Sequence, residues 1–185
     1  MREQLIENNL KENLILKLKR PIKSANGKDE INEITRKKDD DISALDIEGM
    51  NLDMTPRGQL SVICSVFNCT EKQMKSLHPS DYTKCALFTM SLINIDEYDF
   101  DENKRKLVLK RPILSEDGKK EIKFITRKKD DDISAFDILD SKYTSSLTAQ
   151  KNTVCNLYGL SEEQVSSLFP SDYMYLVTVV GKYSE

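Results

Sequence analysis

The sequence predicts an α+β protein made of two tandem repeats, each an N-terminal β-hairpin followed by about four short helices. Three observations lead to this fold class. The chain aligned with itself at an offset of 91 residues gives 34 identities in 76 gap-free positions, which marks a tandem duplication. Each copy opens on alternating apolar and basic residues interrupted by a glycine turn, as a hairpin does. The rest of each copy carries helix-capping residues and apolar spacings of three and four.

The repeat boundaries follow from this alignment. The first repeat is predicted over residues 14–93 and the second over residues 105–183. Residues 94–104, "NIDEYDFDENK", are strongly charged, and we interpret them as a linker.

Each predicted hairpin is built on the motif "LKRPI", which occurs in both copies. The dipeptides Asn26-Gly27 and Asp117-Gly118 are typical of two-residue type I′ turns, in which both central residues have positive φ. Pro21 and Pro112 have no N–H to donate. We therefore expect both prolines on the free edge of the hairpin or at a bulge.

A turn of this type also sets the register of the first hairpin. It places Ile22 opposite Ile31 and Arg20 opposite Glu33. Ile34 then lies on the opposite face from Ile31. Two interpretations follow: both faces of the hairpin are covered, or the strand pairing slips.

The first two helices of each repeat are predicted from capping residues and apolar spacing. The stretch "KKDDDISALDI" predicts a short helix that is capped by one of its aspartates and ends near Gly49. The next helix has Thr55 as its N-cap and Pro56 at its first position. Its apolar stripe consists of Leu60, Ile63, Cys64 and Phe67. In the second copy this helix ends at Gly159, a typical C′ residue.

The last two helices of each repeat also carry start signals. Thr70–Gln73 and Ser161–Gln164 fit a capping box. The final helix is predicted to start with Ser80 or Ser171 as its cap. It is apolar around most of its circumference, which indicates burial on more than one side.

Composition excludes several classes of function. The net charge is -3, so the protein has no general attraction for nucleic acid. The longest apolar stretches are too short to span a bilayer, and no signal peptide precedes them, so we expect a cytoplasmic protein. The four cysteines lack metal or redox spacing and are expected to be free thiols. The single histidine, His78, corresponds to Phe169 in the other copy, which favours a packing or surface role.

No sequence motif indicates catalysis, a nucleotide site, a metal site or a cofactor. We therefore expect a protein that is not an enzyme. The repeated stretch "ITRKKDDDISA" at 34–44 and 125–135 has three interpretations: a solvated helix start, a partner-binding patch, or a cation site made by the aspartates. Its identity in both copies indicates either two equal binding surfaces or a recent duplication.

Two stretches are similar to the small tail assembly chaperones of contractile-tailed, Mu-like phages. The ending "LYGLSEEQVSSLFPSDYMYLVTVVGKY" resembles their glycine turn, short acidic helix, and Asp-Tyr step into an apolar helix. The opening "LVLKRPI" with "ITRKKDDDISAFD" resembles their first strand and helix start. The resemblance covers both repeats, whereas members of the family are usually single units.

The resemblance implies a non-catalytic helper in the cytoplasm of the bacterial host. Such a protein binds the tape-measure protein, or the tail tube protein, during tail assembly, and has no nucleic-acid or membrane partner. It could also form a homo-oligomer. On this hypothesis, the final helices contact the client and the repeated charged stretches form its rim. The candidate residues are Arg36, Lys37, Lys38, Asp39, Asp40, Asp41, Leu87, Phe88, Arg127, Lys128, Lys129, Asp130, Asp131, Asp132, Leu176 and Val179.

A second hypothesis keeps the same scaffold but assigns another task. In it, the protein is a phage-encoded adaptor or inhibitor that binds a host protein. Co-expression with the tape-measure protein discriminates between the two hypotheses.

Overall fold

The computed structural model describes residues 14–48, 56–96, 98, 105–138 and 147–181. It confirms the α+β class and the hairpin-plus-helices repeat. The strands are β1 Ile15–Lys23, β2 Glu30–Thr35, β3 Lys106–Leu114 and β4 Glu121–Thr126. The helices are α1 Ala44–Ile47, α2 Pro56–Val66, α3 Glu71–Ser76, α4 Pro79–Leu92, α5 Ala135–Ile138, α6 Leu147–Tyr158, α7 Glu162–Ser167 and α8 Pro170–Gly181. A 3₁₀ turn precedes α1 at Asp39–Asp41, and another precedes α5 at Asp130–Asp132.

The chain forms two compact units that follow the repeats, with one exception. Of the described residues, unit 1 contains 14–42 and 56–92, and unit 2 contains 43–48 and 93–181. Helix α1 therefore belongs to the first repeat in sequence but to unit 2 in space. The predicted repeat boundaries, 14–93 and 105–183, follow the sequence alignment, so they place α1 in the first repeat although it packs in unit 2.

The register of the first hairpin answers the question raised by Ile34. Ile22 pairs with Ile31, as predicted, but Glu33 pairs with Lys17 and not with Arg20. The pairing slips between Lys17 and Ile22, where residues 18–21 lie opposite a single residue of β2. Because of this slip, Ile22 and Ile34 are both buried.

The bulge contains Pro21 in β1, and the same irregularity in β3 contains Pro112. The prediction that these prolines lie at a bulge is confirmed. A bulge tolerates proline because the ladder there does not require its missing N–H.

The hairpin turns differ from the predicted type I′ geometry. Gly27 has φ +73° and Gly118 has φ +68°, whereas Asn68 is the one non-glycine with positive φ among the described residues. The N–H of Gly27 donates to the carbonyl of Ser24 at 2.8 Å, so Ala25 and Asn26 form the turn at negative φ and Gly27 follows it in the left-handed region. This arrangement is the longer hairpin loop in which a type I turn precedes a left-handed glycine.

Helix starts depend on local capping, and most were predicted correctly. Both capping boxes form, with Thr70 accepting from the N–H of Gln73 and Ser161 accepting from that of Gln164. Helix α2 starts at Pro56, while Thr55 and Gly49 lie outside the described residues.

Two predicted caps were wrong. The aspartate triplets form 3₁₀ turns, and α1 is capped by Ser43 in a box with Asp46. The final helices begin two residues earlier than predicted, at Pro79 and Pro170, so Ser80 and Ser171 lie inside the first turn. Proline suits this first position because its missing N–H has no intrahelical acceptor there.

The ends of α2 and α6 provide a matched test of backbone conformation. Gly159 has φ +63° and a Cβ there would meet nothing within 4 Å, while Asn68 occupies the same position of the first repeat at φ +48°. We expect Gly159→Ala to lower the free energy of unfolding by about 1 kcal/mol, because alanine is strained in this region. Gly159→Asn should cost less, since asparagine tolerates the conformation. Urea denaturation measures both, and an equal loss for the two variants would contradict the backbone explanation.

Candidate protein-binding surfaces

Two motifs that both repeats share contact each other within each unit. In unit 1 the carboxylate of Asp81, from "PSDY", accepts the backbone N–H of Lys19 in the "LKRPI" bulge at 2.8 Å. In unit 2 Asp172 accepts the N–H of Lys110 at 3.0 Å. Both carboxylates are fully buried in the first turn of a helix, where the helix dipole stabilises negative charge. The slip of the strand therefore exposes an N–H that the helix satisfies.

The arginine of the same motif strengthens this contact. Arg20 donates to the carbonyls of Ser76 and Leu77 at 3.1 and 3.3 Å. Arg111 donates to the carbonyl of Ser167 at 3.2 Å. These bonds satisfy carbonyls at the C-terminal end of α3 or α7. We call the contact between bulge and helix start the strand–helix clamp: Lys19, Arg20 and Asp81 in unit 1, and Lys110, Arg111 and Asp172 in unit 2.

The clamp of unit 2 contains an additional donor. The hydroxyl of Tyr98 donates to Asp172 at 2.6 Å, and its ring stacks on Tyr175 with centroids 4.9 Å apart. Burial raises the pKa of the Asp172 carboxyl, and the hydrogen bonds from Tyr98 and Lys110 oppose that rise. Tyr98 comes from the predicted linker, of which residues 97 and 99–104 lie outside the described part of the chain.

The repeated charged stretch is partly structural. Arg36 and Arg127 are each only 3% exposed and form ion pairs with Asp39 and Asp130. The guanidinium of Arg36 also lies 4.5 Å from the ring centroid of Phe88. Both arginines anchor the loop after the hairpin to the interior, and this structural role accounts for a basic residue at the position in each repeat.

The other residues of this stretch are accessible. Lys37 is half-buried. The exposed members are Lys38, Asp39, Asp40, Asp41, Lys128, Lys129, Asp130, Asp131 and Asp132. Within the described residues, no group of three or more His, Cys, Asp or Glu side chains is arranged to hold a metal ion.

The candidate contacts on the final helices lie mostly in the interior. Phe88 and Leu176 are 1% and 0% exposed, Val179 is also buried, and Leu87 is half-buried. The side chains of Phe88, Leu176 and Val179 are part of the core of their units. The client contact assigned to them stays a prediction, and it would require these helices to open.

The histidine and the cysteines have structural environments. The Nδ1 of His78 lies 2.9 Å from the Ser80 hydroxyl and accepts the Ser80 N–H at the start of α4. All four cysteines are free, and Cys85 is fully buried. Burial raises the pKa of the Cys85 thiol to about 12, which keeps it in the unreactive protonated form.

In unit 2 the short helix α1 is docked on a surface formed by the later helices. Helix α1 packs against α7 and α8, and the N–H of Ala44 donates to the carbonyl of Leu168 at 2.8 Å. Glu48, just after α1, pairs with Lys151 at 2.9 Å. Ala44 and Ile47 are fully buried there, while Leu45 is 59% exposed. We call this surface of α6, α7 and α8 the helix acceptor of unit 2.

The corresponding positions of unit 1 line an open groove. Its volume is about 670 Å³. Leu77 and Tyr82 in this groove correspond to Leu168 and Tyr173 of the helix acceptor at the repeat offset of 91. The complete lining is Leu60, Glu71, Met74, Lys75, Leu77, Pro79, Tyr82 and Thr83.

A separate apolar surface lies on the second hairpin. Val108 and Phe124 are directly opposite in the β3–β4 pairing and are 69% and 52% exposed. The ammonium of Lys106 lies 3.8 Å from the centroid of the Phe124 ring. The same two positions of the first hairpin are the exposed pair Lys17 and Glu33. Sequence reasoning missed this pair, although comparison of the two repeats position by position contains the signal.

Comparisons of the chain with protein-family models, curated proteins and solved structures give no match. None of the described helices is both long enough and apolar enough to cross a membrane.

Proposed function

We propose that the protein is a tail assembly chaperone that binds the tape-measure protein, or another tail component, without catalysing a reaction. The observation that carries the proposal is the exposed pair Val108 and Phe124 on the second hairpin. Large apolar side chains exposed side by side favour a protein-binding surface.

The charge context of the pair favours an amphipathic client. The ammonium of Lys106 covers part of the Phe124 ring, and Lys106 is itself exposed. An apolar helix stripe with an acidic flank complements such a surface, since the apolar stripe would cover the pair and an acidic side chain would meet Lys106. A long tail component that is not yet assembled exposes apolar helices of this kind, and it aggregates unless another protein binds them.

The strand–helix clamps support the same role by making the hairpins rigid. Each bulge is bound to the start of the final helix by a buried aspartate and to the end of the preceding helix by an arginine. A rigid surface loses little conformational entropy on binding. The outer face of the hairpin is therefore a preorganised binding surface.

The first experiment is co-expression with a candidate tape-measure protein. A soluble complex that is retained on affinity purification supports the chaperone. If the tape-measure protein stays insoluble and unbound in every combination, the proposal is wrong and the adaptor hypothesis takes its place.

The double variant Val108→Lys/Phe124→Glu tests the surface. It installs the Lys–Glu pair that the first hairpin carries in the same register. We expect client retention to fall at least about tenfold, because two buried apolar contacts are lost. The free energy of unfolding should change by less than about 0.5 kcal/mol per substitution, as is usual at exposed positions.

The reciprocal variant Lys17→Val/Glu33→Phe is the matched control. It adds a second apolar pair without touching the first and should not reduce retention. Undiminished binding by Val108→Lys/Phe124→Glu would remove the second hairpin from the client surface.

A further inference from the structure

The segment that docks in unit 2 has a near-identical copy in the second repeat. Residues 43–47 read "SALDI" and residues 134–138 read "SAFDI". The one position that differs holds Leu45 in the docked copy, where the side chain points largely to solvent. The side chains that make the docked contact are thus the same in both segments.

The second copy is also folded for docking. The carboxylate of Asp137 accepts the N–H of Ser134 at 2.8 Å, as Asp46 accepts that of Ser43 at 3.0 Å. Its environment is different, however. Ala135 is exposed and Ile138 is half-buried, whereas Ala44 and Ile47 in the docked copy are fully buried.

The acceptor shows the complementary asymmetry. Leu168 and Tyr173 are fully buried in the helix acceptor of unit 2. In the groove of unit 1, Tyr82 is half-buried and Pro79 and Thr83 are exposed. Helix α5 contacts α6 of its own unit, but Ala135 and Phe136 remain exposed there. The chain therefore carries two copies of the donor segment and two acceptor surfaces, and α1 fills the acceptor of unit 2.

The polar contact at the edge of the docked helix changes in a matched way. Glu48 pairs with Lys151 in unit 2. At the repeat offset these positions hold Leu139, which lies outside the described residues, and Leu60 of the groove. The groove of unit 1 thus presents an apolar side chain where the acceptor of unit 2 has the lysine that pairs with Glu48.

From these observations we propose that two copies of this chain associate head to tail, with α5 of one copy docked in the groove of unit 1 of the next. The contact repeats the docking of α1 in unit 2. It is heterologous, so a copy with a used donor still offers its groove, and a copy with a filled groove still offers its donor.

The tethered contact inside unit 2 benefits from a high effective concentration, which the contact between copies lacks. Association should therefore be weak and concentration-dependent. Sedimentation velocity of the full chain up to about 1 mM, the range of effective concentration for short tethers, should show the weight-average mass rising with concentration.

Two variants separate donor from acceptor. Ala135→Arg blocks the donor and Thr83→Arg blocks the groove, and both wild-type side chains are exposed, so neither change disturbs the core. Each variant alone should raise the dissociation constant at least tenfold. An equimolar mixture should associate again to a 1:1 dimer, because one partner keeps its groove and the other keeps its donor.

Phe136→Lys is the control for nonspecific attraction. Phe136 is 84% exposed, and its counterpart Leu45 stays 59% exposed when docked. The variant should therefore associate like the wild type. Loss of association in Phe136→Lys together with retention in Ala135→Arg would show that nonspecific contact between apolar surfaces, and not helix docking, holds the copies together.

Two other outcomes also overturn the proposal. A wild-type chain that stays monomeric up to 1 mM does not form the proposed contact between copies. A mixture of the two blocked variants that stays monomeric excludes the donor–acceptor pairing. Neither outcome depends on the tape-measure protein, so this proposal can fail while the chaperone role stands.

Discussion

Replacing Asp172 with alanine is expected to lower the free energy of unfolding of unit 2 by about 3 kcal/mol, which would be one of the largest effects of any single polar substitution here. The carboxylate accepts from the backbone of Lys110 and from the hydroxyl of Tyr98, and it is fully buried. Charge-assisted bonds of this kind contribute about 1.5–3 kcal/mol each. Urea denaturation followed by far-UV circular dichroism measures the loss.

Asp81→Ala is the matched comparison in unit 1. Asp81 accepts the N–H of Lys19 and lies 3.5 Å from the ammonium of Lys84, which is a longer contact than the one Tyr98 makes with Asp172. Its loss should therefore cost less. A larger cost for Asp81→Ala than for Asp172→Ala would contradict the role given to Tyr98.

The pH dependence of Asp172→Asn supplies a second check. Burial raises the pKa of Asp172 in the folded protein, so the folded state holds this proton more tightly than the unfolded chain. The contribution of the group to stability is thus greatest below its unfolded pKa and falls as pH rises through the folded pKa. The stability of the wild type relative to Asp172→Asn should decline over that window, and a constant difference would contradict the burial effect.

Leu176→Ala is expected to lower the free energy of unfolding by about 3 kcal/mol, with the usual range for buried leucine reaching from 2 to 5. Leu176 is 0% exposed in α8 and lies in the interior of unit 2. Truncation removes buried apolar surface and leaves a cavity that rigid neighbours only partly fill. Thermal and urea denaturation measure the loss.

The first repeat suggests the control for this substitution. Cys85 occupies the corresponding position and is also fully buried. Leu176→Cys leaves a smaller cavity than alanine and should cost less. If Leu176→Ala unfolds at the wild-type denaturant concentration yet loses the client, Leu176 is a contact residue after all, as the resemblance implied.

Local sequence was sufficient wherever the decisive contact is also local. The capping boxes at Thr70 and Ser161 formed as predicted because a side chain reaches a backbone N–H three residues away. The left-handed glycine at 159 was predicted for the same reason. In the turn at Asn26-Gly27, positive φ was predicted for both residues but occurs only at Gly27. The dipeptide fits two kinds of hairpin loop, and the strand register decides which of them forms.

The strand register itself could not be obtained from local pattern. The slip between Lys17 and Ile22 leaves the N–H of Lys19 to be satisfied by Asp81, which is 62 residues away in sequence. Neither "LKRPI" nor "PSDY" indicates by its own sequence that it contacts the other, although both motifs occur in both repeats. The repeated blocks "LKRPI" and "PSDY" are the two halves of one contact.

The sequence by itself determined the duplication, the hairpins, the order of helices and the presence of caps, because each depends on side chains a few positions apart. Tertiary structure decided which copy of a segment is buried. "SALDI" docks in unit 2 and "SAFDI" is accessible, although their capped conformations match. Identical residues take the same local conformation, but burial depends on surfaces that the rest of the chain brings to them.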